Sequence, residues 1–179
     1  MKIALETERL LLRPLRSGDE KDMFLWTGDR EVSKYVTWNA YSSLKETKDY
    51  LEDILDDYDD PKTIRFGIEY KSDHRLIGVI DVVTYLEDVP VIGYCLNRSY
   101  WKHGIMTEAL KKVAEFLFSI GYDTIRVDAV KENIGSNKVI MNCGGVLIDT
   151  VNRYLALKKE NKTVNCYLIR KENEVENNK

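Results

Sequence analysis

The run from Asn97 to Val113, NRSYWKHGIMTEALKKV, passes from strand-like residues through one glycine into a helix. A helix that begins on Gly104, with Trp101, Lys102 and His103 ahead of it and Thr107 and Glu108 behind, has the composition of an anion site. The first turn of any helix leaves backbone N–H groups unpaired and carries the positive end of the macrodipole. Gly104 lets the backbone approach a ligand closely or take a positive φ. Residues 102 to 107 can aim several N–H groups at one anion while their side chains point elsewhere, and Lys102 and His103 add charge. An ordinary helix start uses the same residue types, so on these residues alone both readings stand.

Other groups with chemical potential are scattered. Asn133-x-x-Ser136 reads first as a helix N-cap with a serine in the first turn. Asp81 sits inside the apolar run Gly78-Val-Ile-Asp-Val-Val, where an unpaired buried charge is expensive, so it either faces a wet cleft or has a partner. Asp149, after Val146-Leu-Ile, is a second carboxylate of this kind. Glu108 suits a structural first-turn carboxylate better than a base. Cys95 reads as core, since no His or carboxylate is placed by sequence to activate it. Trp26, Tyr35, Trp38 and Tyr41 form an aromatic cluster suited to packing or to recognition.

The elements that must position these groups follow from periodicity. Leu10 to Leu15 reads as a first strand closed at Arg13-Pro14, and Ser17-Gly-Asp-Glu20 as the start of a helix to about Trp26, with another helical region around Glu31 to Val36. Ser43-Leu-Lys-Glu46 fits a capping box, and Leu44, Thr47, Leu51, Ile54, Leu55 and Tyr58 recur at helical spacing. Thr63 to Tyr70, Arg75 to Tyr85 and Val89 to Leu96 suggest an antiparallel meander. The helix after Gly104 aligns Met106, Ala109, Leu110, Val113, Leu117 and Ile120, and Gly121 ends it. A strand over Thr124 to Val130, a helix over Asn133 to Cys143 stopped by Gly144-Gly145, and strands near Val146 to Tyr154 and Thr163 to Arg170 complete the order. The expected architecture is α+β: a mixed, mostly antiparallel sheet of about seven strands covered by helices.

The chain has 179 residues, 44% hydrophobic and 32% charged, which suits one folded domain over residues 1–170, with 171–179 expected as a disordered tail. A net charge of −3 argues against a dedicated nucleic-acid binder. No apolar run approaches the roughly 20 residues that span a bilayer. Glu6, Glu8 and Arg9 interrupt the N-terminal apolar patch before a signal-peptide core can form, so no membrane partner and a cytoplasmic location are expected. Three distant cysteines and two histidines, His74 and His103, give neither a disulfide framework nor metal-ligand spacing.

The run IGYCLNRSYWKHGIMTEAL, followed by NIGSNKVIMNCGG and preceded by the opening ETERLLLRPL, resembles the GNAT superfamily of acyl-CoA N-acyltransferases, in the branch of ribosomal-protein-alanine acetyltransferase-like enzymes. The family's phosphate loop, Arg/Gln-x-x-Gly-x-Gly/Ala, falls on Trp101, Lys102, His103, Gly104, Ile105 and Met106. Only Gly104 matches strictly: Lys102 stands where a second glycine is frequent, and Met106 where a small residue is usual. The resemblance implies a GNAT-like fold and acetyl-CoA as cosubstrate, held by Lys102, His103, Gly104, Ile105, Met106 and Thr107. It also implies that Asn133 bonds the pantetheine arm and that Ser136 donates to the leaving thiolate. The thioester carbonyl would be polarised by a main-chain N–H near Tyr94, Cys95 and Leu96, where the family's strands splay apart.

The implied reaction is direct acetyl transfer to a primary amine in a ternary complex, with Asp81 the first candidate base and Trp26, Tyr35 and Trp38 facing the acceptor. That acceptor is a small molecule or a protein N-terminus, and the chain is a monomer or homodimer. Neutralising a lysine of pKa about 10.4 at pH 7 costs about 4.6 kcal/mol, against about 1 kcal/mol for an α-amine near 7.7, so a weak base suffices for the latter. Two rival readings are a catalytically silent CoA-binding module of the same fold and an unrelated mixed-sheet domain in which Gly104 is merely structural.

Overall fold

The computed structural model describes residues 3–172. The elements run β1 (Leu5–Glu6), β2 (Leu10–Arg13), α1 (Glu20–Thr27), α2 (Arg30–Ser33), α3 (Leu44–Asp57), β3 (Arg65–Tyr70), β4 (Arg75–Leu86), β5 (Val89–Leu96), a 3₁₀ turn (Arg98–Tyr100), α4 (Ile105–Ser119), β6 (Thr124–Val130), α5 (Ile134–Asn142), β7 (Val146–Leu155) and β8 (Glu160–Arg170). They build one eight-stranded sheet in the order β1-β2-β3-β4-β5-β6-β8-β7. The strand beyond the expected seven is β1, whose two residues are too few to show a period of two. The helical region expected over Glu31 to Val36 is a single turn, Arg30–Ser33, capped by the Asp29 side chain. Of the tail expected from 171, Lys171 donates its N–H to Asp123 O at 2.9 Å, and residues 173–179 lie outside the described residues. Among the described residues no helix is long and apolar enough to cross a membrane.

Strand alternation divides the apolar side chains between two layers. On one face Ile80, Ile92, Leu96, Ile125 and Val127 pack with Ile105, Met106, Ala109, Leu110 and Val113 of α4. On the other face Val79 and Cys95 pack with Met23 and Trp26 of α1 and Leu51 and Ile54 of α3. Each such fully buried aliphatic side chain contributes about 1.5–3 kcal/mol of burial. The entry to α1 is fixed by a buried charge cluster, in which Arg13 bonds Asp19 at 2.9 Å and Glu69 at 2.6 Å. Burial alone would lower the Arg13 pKa, yet the two carboxylates outweigh it and hold the guanidinium charged.

Every neighbouring pair of strands is antiparallel except β5 and β6, which run parallel and pair only at Val91 with Arg126 and Ile92 with Val127. Both strands continue, β5 to Leu96 and β6 to Val130, without pairing further. The sheet therefore opens at its centre, beyond Ile92.

Candidate active site at the strand opening

A cavity of about 430 Å³ occupies this opening and passes from one face of the sheet to the other. Tyr94, Asn133 and Ser136 line it on the α4/α5 face; Trp26, Tyr35, Trp38, Tyr41, Tyr50 and Asp81 line it on the α1/α3 face. Asn97 N–H donates to Ile77 O at 2.7 Å, so the antiparallel alternation turns the N–H groups of Tyr94 and Leu96 away from β4, toward the gap. The Leu96 carbonyl on that side accepts from Trp101 Nε1 at 2.8 Å. The side chains of Cys95 and Leu96 themselves belong to the two cores, one on each face.

On the α4 face, Gly104 has φ +74°, the left-handed conformation that its missing Cβ allows, and α4 begins immediately after it. No side chain among the described residues caps α4, so the N–H groups of Ile105, Met106 and Thr107 stand at an uncapped helix start. Ile105 and Met106 bury their side chains in the core and can offer a ligand only backbone, whereas Lys102, His103 and Gly104 are exposed. Lys102 also has a positive φ, +64°, at the position where a glycine is frequent in the resembled family.

Arg9, missed by the sequence reading, braces this loop: its Nη1 donates to His103 O at 2.9 Å, its Nη2 lies 3.6 Å from where a Gly104 Cβ would stand, and its Nε meets Glu108 Oε2 at 2.7 Å. Thr7 Oγ1 and the Arg9 backbone N–H also donate to Glu108, at 2.5 and 3.0 Å. Burial pushes the Glu108 carboxyl up, but these hydrogen bonds outweigh it and hold it below the ordinary range. Glu108 is thus a tie between α4 and the first strands.

At the start of α5, Asn133 Oδ1 accepts from Ser136 N at 3.1 Å, as an N-cap does. Ser136 Oγ lies 2.9 Å from Tyr94 Oη, and burial pushes the Tyr94 phenol well up, so it keeps its proton. Asn137, also unforeseen, pins this turn in place. Its Nδ2 donates to Val130 O at 3.0 Å and Asn133 O at 2.7 Å, and its Oδ1 accepts from Asn165 Nδ2 at 2.9 Å and Tyr167 Oη at 2.6 Å.

On the opposite face Asp81 has both features expected of it, a partner and a cavity. Arg65 Nε donates to Asp81 Oδ2 at 2.9 Å, and Arg65 Nη1 to Asp57 at 3.0 Å. Burial raises the Asp81 pKa more than Arg65 lowers it. Trp38, Tyr41 and Tyr50 meet in series, the first pair tilted and the second edge-to-face, with centroids 5.8 and 5.9 Å apart. The β7–β8 turn closes over this loop, where Asn39 Nδ2 donates to Leu157 O at 2.9 Å and Lys158 Nζ to Ser33 O at 2.6 Å. Asp149 lies exposed on β7, outside the cavity lining, and accepts from Thr150 N. The Cys95 thiol is pushed up by burial and then by Asp81, so it is no activated nucleophile.

The structure thus gathers Trp26, Tyr35, Trp38, Asp81, Tyr94, Cys95, Asn133 and Ser136 around one cavity, and sets Lys102 to Thr107 apart at the start of α4. Tyr50 and Arg65 joined the site through strand register and helix placement, which carry no local sequence signal.

Known proteins share this fold. The chain is 26% identical over 173 residues to an uncharacterized N-acetyltransferase, YoaA, of Bacillus subtilis (strain 168), covering 95% of this chain and 98% of that protein. It is 28% identical over 139 residues to an uncharacterized N-acetyltransferase, p20, of Bacillus licheniformis, covering 76% and 78%. Its fold superposes with a TM-score of 0.82 on a GNAT-family acetyltransferase from Bacillus anthracis, at 20% identity and covering 94% of this chain and 98% of that one. It superposes equally, at 18% identity and the same coverage, on RimL, a ribosomal L7/L12 alpha-N-protein acetyltransferase in complex with coenzyme A. A family model of the acetyltransferase (GNAT) domain matches residues 9–146, most of its length, and the chain belongs to that family.

Proposed function

We propose that this chain transfers the acetyl group of acetyl-CoA to a primary amine, a protein N-terminus or a small amine, by direct attack in a ternary complex. The cavity that crosses the sheet at the β5/β6 opening carries this reading, because it is lined by Asn133 and Ser136 on one face and by the buried carboxylate of Asp81 on the other. The uncapped start of α4 suits the cosubstrate's diphosphate, and the space around Gly104, where an added Cβ would meet only Arg9, leaves room for it. The relative crystallised with coenzyme A supports the same assignment.

Acetyl-CoA supplies an acyl group activated as a thioester. Backbone N–H groups from Lys102 to Thr107 hold its diphosphate, and Asn133, whose Oδ1 is spent on the cap, offers Nδ2 to the pantetheine amides. The Tyr94 or Leu96 N–H turned into the gap polarises the thioester carbonyl. Ser136, in hydrogen-bond contact with the protonated Tyr94, delivers a proton to the departing thiolate. Asp81, its pKa raised by burial, accepts a proton from the incoming amine.

The test is thiol release from acetyl-CoA against a panel of peptide N-termini, polyamines and small amines, with thermal unfolding in parallel. At about 100 times its dissociation constant acetyl-CoA should stabilise the fold by about 2.7 kcal/mol. Stabilisation with no thiol released by any amine would establish a silent binding module instead. An unchanged melting temperature in millimolar CoA would sink the cosubstrate assignment.

A further inference from the structure

β7 ends the sheet, and eight of its ten residues are exposed, so its outer edge lies open among the described residues. Val146, Leu147, Ile148 and Tyr154 on it are each 47–59% exposed. An open strand edge with apolar side chains is a template for another strand.

The backbone bonds on the inner side fix what this edge offers. Between β6 and β8, Lys131 N donates to Thr163 O and Lys171 N to Asp123 O. In the antiparallel alternation the odd-numbered residues of β8 therefore turn their N–H and C=O groups to β6, and the even-numbered ones to β7. Val164 lies opposite Val151 and Lys162 opposite Arg153, which leaves the N–H and C=O groups of Thr150, Asn152 and Tyr154 pointing outward. Consistent with this, Thr150 N donates to the Asp149 side chain at 2.7 Å.

This edge matches itself. Two copies laid antiparallel exchange bonds only when outward residues meet outward residues, which requires a register centred on one residue. Centred on Val151, Thr150 meets the partner's Asn152 as a bonded pair, and Asp149 meets the partner's Arg153 as a close pair with Cα atoms about 4.5 Å apart. Asp149 has no ion-pair partner among the described residues, and Arg153, 43% exposed, gives only Nη2 to Asp128, at 2.7 Å. The contact thus sets two opposite charges against each other twice, once on each side of the two-fold axis. Centring on Thr150 or Asn152 would put an apolar side chain against Asp149, and centring on Arg153 would oppose two arginines. The bulge at Ile148 ends the regular stretch, and there Ile148 approaches the partner's Tyr154.

We propose that β7 is a self-association edge, to which a second copy of this chain adds its own β7 antiparallel, centred on Val151, joining two eight-stranded sheets into one. Arg153 lines the central cavity, so the partner's Asp149 brings a second carboxylate to an arginine of the cavity wall. The proposal does not rest on the acetyl-transfer reading, and neither falls with the other.

The experiment combines sedimentation equilibrium with cross-linking. At about 100 μM, a concentration suited to a weak edge contact, the parent should have twice the mass of one chain. Val151→Cys places two thiols on the two-fold axis and should close a disulfide between copies when diamide is the oxidant. Tyr154→Cys, whose thiols would lie about 20 Å apart, should not, and nor should the parent. Asn152→Pro removes an outward N–H, spares the bonds to β8, and should give monomers. Asp149→Arg should weaken the dimer about tenfold or more. A monomeric parent overturns the proposal, as does equal cross-linking at positions 151 and 154, or a dimer that survives Asn152→Pro unchanged. Should the proline variant fail to fold, the parent's mass and the two cysteine variants decide.

Discussion

Tyr94 Oη and Ser136 Oγ stand 2.9 Å apart where β5 and β6 part, joining a strand residue and a helix residue separated by 42 positions in sequence. Either hydroxyl can donate to the other, and the phenol keeps its proton because burial pushes its pKa up. In the acetyl-transfer reading proposed above, the pair would act as a two-member proton source for a departing thiolate. Ser136→Ala and Tyr94→Phe should each reduce kcat and kcat/KM together, by about 10² for the loss of general acid help, with acetyl-CoA affinity nearly intact. The double variant should lose far less than the product of the two effects, because both act on one proton. Steady-state thiol release measures this. A fall below about threefold in either fully folded single variant removes that residue from the catalytic set.

Gly104→Val tests the loop at the start of α4. Steric room is not the obstacle, since an added Cβ would make only an ordinary contact with Arg9 Nη2 at 3.6 Å; the obstacle is φ +74°. Holding a non-glycine residue there costs about 1–2 kcal/mol of stability. Acetyl-CoA affinity should fall by more than about tenfold, because a branched side chain then stands at the backbone proposed to meet the diphosphate. Calorimetric titration beside urea unfolding separates the two quantities. Unchanged affinity in a folded variant would place the phosphate site elsewhere.

Glu108 gives a pH dependence of defined sign. Its folded pKa lies below the ordinary 4.5, so the ionised group adds stability above that value, and the contribution fades as the pH falls through the folded value. Glu108→Gln should therefore cost about 1–2 kcal/mol at neutral pH, at the low end for charge-assisted bonds because Arg9 is partly exposed. The deficit should shrink in strongly acidic solution, where the parent carboxylate is protonated too. Urea midpoints at the two pH values measure the difference, and a deficit independent of pH would show that Glu108 acts through packing.

What the chain discloses in sequence is what it decides locally. The N-cap half of the box expected at Ser43 and Glu46 is formed, with Ser43 Oγ accepting from Glu46 N, while the Glu46 carboxylate accepts from Ser42 N at 3.2 Å, one residue earlier than a capping box has it, and α3 follows as the periodicity demands. Gly121, just past α4, has φ +109°, as a helix-terminating glycine should. Gly104 was legible because a helix start on glycine is a local event. Arg9, Arg65 and Asn137 were not, since each acts across a distance set by strand register: Arg9 reaches a loop 94 residues on, and Asn137 meets Tyr167 30 residues later. Trp26 was foreseen as an aromatic facing the acceptor, but its buried indole N–H, without a partner among the described residues, follows from how α1 docks on β4, which no spacing encodes.

The strand order has a consequence for synthesis. On the side away from β5 the neighbour of β6 is β8, and β7 lies outside both, so that edge of β6 waits for a partner made some 30 to 40 residues later. A chain emerging from the ribosome at about 5–20 residues per second can assemble β1 to β5 and their helices early. It then holds the edge of β6, with alternate Ile125, Val127 and Ala129 in the core, uncovered until residues 160–170 appear. Asn165 and Tyr167, which fix the turn bearing Ser136, arrive in that same last segment. A nascent chain stalled before β8 therefore has the uncapped helix start of α4 without the pinned serine, and exposes an open strand edge for chaperones to shield.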